Sequence, residues 1–211
     1  MLSDLLYSLP AILIALTVHE YAHARVAYAF GDPTAKLQGR LSLNPLDHID
    51  PIGLLMLIIA RFGWAKPVPI NPFNFHDRRQ GILWVSLAGP LTNFIAGFFS
   101  MFLFSVLTPA VPYQLQAAFT RFFINLIIIN VYLAVFNLIP LPPLDGSKIL
   151  ASLLPHRYRF SFQQIEPYGP LILILLIITG FISKILGPLA FAAISLMQVI
   201  LNFLGFGVWI I

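Results

Sequence analysis

The chain has 211 residues, of which 59% are hydrophobic and only 9% charged, and its mean hydropathy is +0.88. A soluble domain would be about a quarter charged, so this composition excludes an ordinary soluble protein and indicates a membrane protein. There is no cysteine, which excludes disulfides and thiolate metal sites and leaves His, Asp and Glu as metal ligands. We interpret the net charge of +4 as a signal of membrane topology and see no basis for nucleic-acid binding.

Apolar segments that can cross a bilayer as helices follow one another along the chain, each with a length near the ~20 residues that a span needs. Breaks that contain glycine or proline separate them, and the first segment ends before Gly31-Asp32-Pro33. We predict spanning helices over residues 5–29, 80–107, 116–138, 168–184 and 187–209, the last two being divided at Gly187-Pro188.

The connecting segments carry shorter patterns. Residues 35–45 alternate partly and predict a hairpin or re-entrant strand, whereas 52–60 are apolar but too few to span and predict a re-entrant or interfacial helix. Residues 64–75 are rich in proline and should be extended, and a short helix is expected near 146–154. The predicted fold is a single all-α polytopic membrane domain over 1–211. It has about five spanning helices, one short re-entrant or interfacial segment and a small membrane-embedded β-like hairpin.

Lysine and arginine are distributed unevenly across these predicted spans. With the N-terminus outside and the spans alternating, only Arg121 and Lys184 fall on the outer side. Cytoplasmic loops carry an excess of basic residues, so we expect the other side to be cytoplasmic. The basic residues on that side are Arg25, Lys36, Arg40, Arg61, Lys66, Arg78, Arg79, Lys148, Arg157 and Arg159.

The first predicted helix contains the pattern His-Glu-x-x-His at residues 19–23. On a helix, His19 and His23 lie one turn apart on one face, so both imidazoles can hold one metal ion while Glu20 reaches a metal-bound water. The alternative is a buried polar cluster that pins helices together. Because ionisable groups in an apolar helix are costly and rarely lack a role, we favour a zinc hydrolase whose active site lies within the membrane.

A catalytic zinc usually takes three protein ligands, so a third ligand must come from elsewhere in the chain. The candidates are Asp145, Asp47, Asp50, His48 and His76. Asp145 follows a loop whose prolines fix the backbone, and Gly146 allows a close approach to a neighbour; the alternative for Asp145 is a helix cap. For the acidic residues of the 47–50 segment we favour turn formation in a solvated loop.

Three motifs, taken in order, resemble the site-2 protease family of intramembrane zinc metalloproteases. His19-Glu20-x-x-His23 is similar to the family's metal-and-base motif, and Gly89-Pro90-Leu91-Thr92-Asn93 resembles its central-helix motif. The segment from Asn137 to Gly146 resembles its Asn-x-x-Pro-x-Pro-x-x-Asp-Gly motif. The resemblance implies a compact form of the family, for which we expect neither a PDZ domain nor a regulatory nucleotide-binding domain.

The resemblance also implies roles for individual residues. His19, His23 and Asp145 would hold one Zn²⁺, Glu20 would be the general base, and Asn137 is a candidate for polarising the scissile carbonyl or binding the oxyanion. The implied substrates are single-span membrane proteins, cut in or near their transmembrane segments. The implied location is a prokaryotic cell membrane, with the active site towards the cytoplasmic side.

Two other functions use the same His and Asp residues: a metal or proton transporter, and a catalytically silent scaffold. A transporter predicts further acidic residues along a path across the bilayer, and the predicted helices 80–107 and 187–209 contain none. Asn93 has two interpretations as well. It could hydrogen-bond ligands or substrate, or it could join helices together with Gly89 and Gly97, whose small side chains allow close packing.

Overall fold

The computed structural model describes residues 2–60, 63–155, 157–158, 162 and 164–207, and helices dominate this part of the chain. The three longest helices in it are α1 (Leu2–Ala29), α4 (Arg78–Leu107) and α5 (Tyr113–Asn137). The remaining helices are α2 (Thr34–Leu37), α3 (Pro51–Ala60), α6 (Asp145–Leu153), α7 (Gly169–Ile178) and α8 (Phe181–Phe203).

Helices α1, α4 and α5 pack against one another, α6 packs on α4, and α8 packs on α5. The largest core cluster lies between α4, α5 and α8, and Met101, Val131 and Met197 are among its fully or almost fully buried members. Gly97 lets α4 approach α5 closely, because a Cβ atom added there would lie 3.1 Å from Val131. The small-residue packing predicted for Gly97 is therefore present.

Three helices in the described part of the chain are long and apolar enough to cross a membrane: α4 with the turn that follows it, α5 and α8. They have mean hydropathies of 1.7, 1.9 and 1.8. The apolar face of α8 includes exposed Phe191, Leu196 and Val199, which fits a hydrocarbon surround better than water. The coarse prediction of an all-α protein with membrane-spanning helices is thereby confirmed.

The β-like hairpin predicted over 35–45 is wrong. Residues 34–37 form the short helix α2, and Gly39 follows with φ +69°, a left-handed turn that ends any extended run. The turn begins because the Asp32 side chain accepts from both the amide and the hydroxyl of Thr34. The described residues contain no strand, only one β-bridge between Ile49 and Ala65.

The break predicted at Gly187-Pro188 lies elsewhere. Helix α7 ends at Ile178, and Gly180 takes the left-handed conformation, with φ +70°, that commonly terminates a helix. Helix α8 then runs through Gly187 and Pro188 without interruption. Proline is tolerated inside an apolar membrane helix where neighbouring groups satisfy the backbone, so Pro188 alone was a poor marker of a boundary.

Candidate active site

Three predicted metal-binding side chains meet between α1 and the start of α6. The Nε2 atoms of His19 and His23 are 2.9 Å apart, and Asp145 Oδ2 lies 3.3 Å from the first and 3.1 Å from the second. All three residues are buried, with relative exposures of 5%, 6% and 8%. Among the described residues, this is the group of His, Asp and Glu side chains that can hold a metal ion.

The other ring nitrogen of each histidine faces an oxygen atom. His19 Nδ1 lies 2.5 Å from Asn93 Oδ1, and His23 Nδ1 lies 2.7 Å from the carbonyl oxygen of Val85. Because an oxygen of this kind accepts, each Nδ1 carries the proton and donates, which leaves both Nε2 atoms with lone pairs. Two lone pairs and a carboxylate oxygen therefore converge on one point, an arrangement that a cation between them would stabilise.

The geometry fits a tetrahedral metal ion. Zinc binds His nitrogen and carboxylate oxygen at about 2.0–2.2 Å, which separates tetrahedral ligands by roughly 3.3 Å, close to the three distances above. Gly89 of α4 lies against the cluster, and a Cβ atom added there would be 2.5 Å from His23 Nε2 and 2.6 Å from His19 Nε2. The bare Cα of Gly89 thus leaves room beside the coordinating nitrogens.

Close backbone packing positions Asp145. A Cβ atom on Gly146 would lie 2.4 Å from the carbonyl oxygens of Leu138 and Ile139, so only glycine allows α6 to start directly against the end of α5. Gly169, at the start of α7, approaches Pro142 equally closely from the other side of the loop. Asp145 makes no side-chain cap of α6; its carboxylate is directed at the histidines instead.

Glu20 lies on α1 beside the two histidines, and its carboxylate is held by a backbone amide. The N–H of Val68 donates to Glu20 Oε2 at 2.8 Å. Val68 belongs to the extended stretch Lys66–Ile70, in which Pro67 and Pro69 favour extended backbone and have no N–H of their own. Oε1, the second oxygen of Glu20, has no hydrogen-bond partner among the described residues.

Two buried side chains outside the helix bundle fix this extended stretch. Arg40 donates to the carbonyl oxygens of Lys66 at 2.7 Å and Pro67 at 3.4 Å. Asp32 accepts from the Asn71 amide at 2.7 Å and from Asn74 Nδ2 at 2.8 Å. Burial disfavours ionisation of Asp32, but these hydrogen bonds and those from Thr34 outweigh it and lower its pKa below the ordinary value.

The remaining sequence candidates lie apart from the cluster. Asp50 accepts from the amides of Ile52 and Gly53 and caps α3, as the turn interpretation predicts. His48 faces the carbonyl oxygen of Ser42, and Asp47 and His76 are not in the metal-binding group. Asn137 is the last residue of α5; in the described part of the chain its one hydrogen bond runs from Nδ2 to Leu133 O at 3.0 Å.

A largely apolar groove of about 520 Å³ lies between α1 and α5. Leu16 and Thr17 line it from α1, in the turn before His19, and Leu133 and Phe136 line it from α5, in the turn before Asn137. Side chains of α3, α7 and α8 also line it. The three residues of the cluster are not among its lining residues, so the groove reaches the turn before the cluster and not the cluster itself.

Sequence reasoning did not identify three contributors: the Val68 amide, the space beside Gly89, and Asn130, which hydrogen-bonds Asn93. The role of a backbone amide cannot be read from the identity of its residue. Val68 is nevertheless the one residue with an N–H between Pro67 and Pro69, and this pattern is a usable sequence signal. Asn130 gave a clearer sequence signal, because a polar side chain in an apolar helix needs a buried partner. Asn93 itself contacts His19 directly, so its functional interpretation has structural support.

Known proteins that are similar to this chain in sequence are named zinc metalloproteases. The sequence pattern of Peptidase family M50 matches residues 106–180, which include Asp145 but not the helix with His19. The protein of Bacillus subtilis named "Putative zinc metalloprotease YwhC" is 43% identical over 192 residues, covering 89% of this chain and 87% of the relative. No solved structure matches the chain.

More distant relatives carry similar names. "Putative zinc metalloprotease Rip2" of Mycolicibacterium smegmatis is 33% identical, covering 82% of this chain and 66% of the relative. "Zinc metalloprotease MJ0392" of Methanocaldococcus jannaschii is 23% identical, covering 82% of this chain but only 42% of the relative.

Helices that can cross a membrane, together with a buried His–His–Asp cluster beside a glutamate, define a membrane peptidase. The chain belongs to peptidase family M50, the site-2 protease family. The resemblance drawn from the three sequence motifs is thereby confirmed.

Proposed function

We propose that this protein is an intramembrane zinc endopeptidase in which His19, His23 and Asp145 bind one Zn²⁺ and Glu20 is the general base. The observation that carries the proposal is the convergence of two lone-pair nitrogens and a carboxylate oxygen within 3.3 Å, next to a glutamate on the same helix. Three protein ligands leave one position for water, as in catalytic zinc sites. The names of the relatives, each a zinc metalloprotease, support the choice of metal.

Zinc, when bound, lowers the pKa of water towards neutrality and polarises a substrate carbonyl. Oε1 of Glu20 accepts the proton from the attacking water and later delivers it to the leaving amine. The Val68 amide keeps Oε2 as a hydrogen-bond acceptor and so holds the carboxylate in one orientation. Asn137, the residue after the groove-lining Phe136, would donate to the scissile carbonyl once its side chain leaves Leu133 O.

The substrates are single-span membrane proteins. An apolar segment lies in the groove between α1 and α5, where Leu16 and Leu133 face it. At the scissile bond the segment must be extended, because a helix occupies its own carbonyls. The C=O of Val68 and the N–H of Ile70 have no hydrogen-bond partner in the described part of the chain, and they offer an edge for pairing with such a segment.

Helix α1 crosses the bilayer in addition to α4, α5 and α8, and α7 contributes to a fifth crossing. Alone, α7 rises about 15 Å, half the hydrocarbon thickness, so it needs its flanking residues to complete a span. Basic residues near the end of α1, in the segment that follows and at the start of α4, such as Arg25, Lys36 and Arg78, support an active site towards the cytoplasm. The bacterial and archaeal relatives support a prokaryotic cell membrane.

The first test is cleavage of single-span reporters by the intact protein and by Glu20→Gln, with bound zinc measured in both. Glu20→Gln keeps size and ligands but removes the base, so we expect zinc to stay bound and cleavage to fall by at least about 100-fold. Glu166→Gln, the same substitution at an exposed site on another element, is the matched control and should cleave normally.

Each other outcome points to a different function. Undiminished cleavage by Glu20→Gln would overturn the role of Glu20. Zinc bound by both proteins with cleavage by neither would favour the scaffold. Zinc movement into proteoliposomes containing the intact protein, without cleavage, would favour the transporter.

A further inference from the structure

Two asparagines lie completely buried between α4 and α5, away from the ligand atoms of the cluster. Asn93 and Asn130 both have relative exposures of 0%. Burial of a polar amide in an apolar core is costly unless its donors and acceptors are paired. Both amides are paired here, and they form a chain of hydrogen bonds that ends at His19.

Backbone carbonyls at two points determine the direction of this chain. Asn130 Nδ2 donates to Leu126 O at 2.8 Å, and since a carbonyl can only accept, Asn130 Oδ1 must face Asn93. Oδ1 accepts from Asn93 Nδ2 at 2.8 Å, and the same Nδ2 donates its second hydrogen to Ala15 O at 2.9 Å. Asn93 Oδ1 is therefore the atom that faces His19 Nδ1.

We propose that Asn130 is a positioning residue, which acts through Asn93 to hold His19 in the tautomer that can bind metal. Asn93 Oδ1 accepts the proton of His19 Nδ1 and leaves Nε2 free, facing His23 Nε2 and Asp145. Asn130 Oδ1 and Ala15 O each accept one hydrogen of Asn93 Nδ2, so Asn130 shares with Ala15 the stabilisation of this orientation of the Asn93 amide. The inference rests on the zinc site proposed above and concerns residues that do not themselves bind the ion.

Loss of the Asn130 acceptor would leave one buried N–H of Asn93 unpaired. The amide of Asn93 would then gain less from its present orientation, and a rotated amide would present Nδ2 to His19 Nδ1. That contact favours the tautomer with a proton on Nε2, in which the lone pair needed for metal binding is gone. The tautomer of His23 does not depend on the orientation of an amide side chain, because its Nδ1 donates to the backbone carbonyl of Val85.

A double-mutant cycle with zinc affinity as the readout tests the relay. Zinc dissociation constants would be measured by chelator competition for the intact protein, Asn130→Leu, Asn93→Leu and the double variant. Second-sphere changes typically weaken metal binding 10- to 100-fold, so we expect about 10-fold for Asn130→Leu and somewhat more for Asn93→Leu. The double variant should bind no more weakly than Asn93→Leu, because Asn130 acts through Asn93.

Val131→Ala is the matched control, since Val131 is the next residue of α5 and equally buried but takes no part in the relay. It should lower thermal stability without changing zinc affinity. Unchanged zinc affinity in Asn130→Leu would overturn the relay, and so would a double variant whose loss is the product of the two single losses. Failure of the intact protein to bind zinc would overturn both the relay and the proposed function.

A second readout needs neither metal nor activity and covers the case in which Asn93→Leu does not fold. Nitrogen-15 NMR of metal-free protein with labelled histidine distinguishes the two tautomers of each ring. We expect the ring-nitrogen signals of His19 to change in Asn130→Leu, while those of His23 stay as in the intact protein. An unchanged His19 spectrum in Asn130→Leu would contradict the relay.

Discussion

The two functional parts of the site are held by different means. The three proposed metal ligands are oriented from inside the helix bundle, by Asn93 and Val85 of α4 and by close glycine packing around α6. Glu20, the proposed base, is oriented by one backbone amide from an extended stretch, which is anchored by Arg40 and Asp32 outside the bundle. The difference implies that metal binding and base orientation can be disturbed separately.

The largest effect should come from the bundle side, with Gly89→Ala. The added methyl group would lie 2.5 Å from His23 Nε2 and 2.6 Å from His19 Nε2, in the space beside the coordinating nitrogens. We expect zinc affinity to fall by more than about 100-fold, beyond the usual cost of a second-sphere change. Zinc content after purification and the helical circular-dichroism signal are the measurements.

Gly187→Ala is the control for this substitution. Gly187 lies inside a membrane helix too, but a Cβ atom there would meet nothing within 4 Å. This variant should bind zinc as the intact protein does. Equal zinc content in Gly89→Ala would show that the cluster does not need the space beside Gly89.

On the loop side, Val68→Pro should have an intermediate effect. Proline removes the amide that donates to Glu20 Oε2 while keeping the extended backbone that Pro67 and Pro69 already impose. We expect kcat to fall by about 10-fold or more, because a misdirected base loses part of its contribution, with zinc affinity unchanged.

The matched control keeps the amide and removes the side chain. Val68→Ala loses packing against Ala24 and Ala35 but should retain most of the activity. If Val68→Ala and Val68→Pro reduce kcat equally, the amide is not what orients Glu20. If zinc affinity falls in Val68→Pro, the two parts of the site are not separable.

The smallest expected effect is on thermal stability: it comes from replacing Asp32, which anchors the extended stretch, and it depends on pH. The pKa of Asp32 in the folded protein is below the ordinary value of about 3.9, so the carboxylate stabilises the fold above that pH and loses this contribution as pH falls through the folded pKa. Asp32→Asn should lower the unfolding temperature by a few degrees at pH 7, and the gap should narrow below about pH 4.

Thermal unfolding of both proteins at pH 7 and pH 3 measures this gap. Asp47→Asn is the control, because in the described part of the chain the Asp47 carboxylate has one long hydrogen bond, 3.5 Å from Asn44 Nδ2. A gap between Asp32→Asn and the intact protein that is as wide at pH 3 as at pH 7 would contradict a contribution from the ionised carboxylate.

Sequence reasoning predicted the bundle side of the molecule better than the loop side. Helical spacing places His19 and His23 on one face. Asp145 was one of five candidates by residue type, the motif resemblance singled it out, and the structure brings it to the histidines. The predictions for the loops were wrong or incomplete because the conformation of a loop depends on contacts with residues distant in sequence. The hairpin over 35–45 gave way to a turn set by Asp32, and Val68 meets Glu20 across 48 positions of sequence.

Helix boundaries were predicted less well where both a glycine and a nearby proline can signal the end of a helix. Sequence reasoning used Gly187-Pro188 as the break signal, whereas the structure ends α7 just before Gly180. A left-handed glycine ends a helix through its own backbone conformation, whereas the effect of a proline depends on whether neighbours satisfy the freed carbonyl. The second condition cannot be read from one sequence.

The distance along the chain between the ligands has a consequence for biogenesis. His19 and His23 belong to α1, which leaves the ribosome before α4 and α5, whereas Asp145 emerges only after those helices have been made. Since synthesis proceeds from the N-terminus, a nascent chain carries an incomplete set of the proposed ligands until residue 145 has been added. The growing protease therefore cannot assemble the proposed metal site while α4 and α5 are being made.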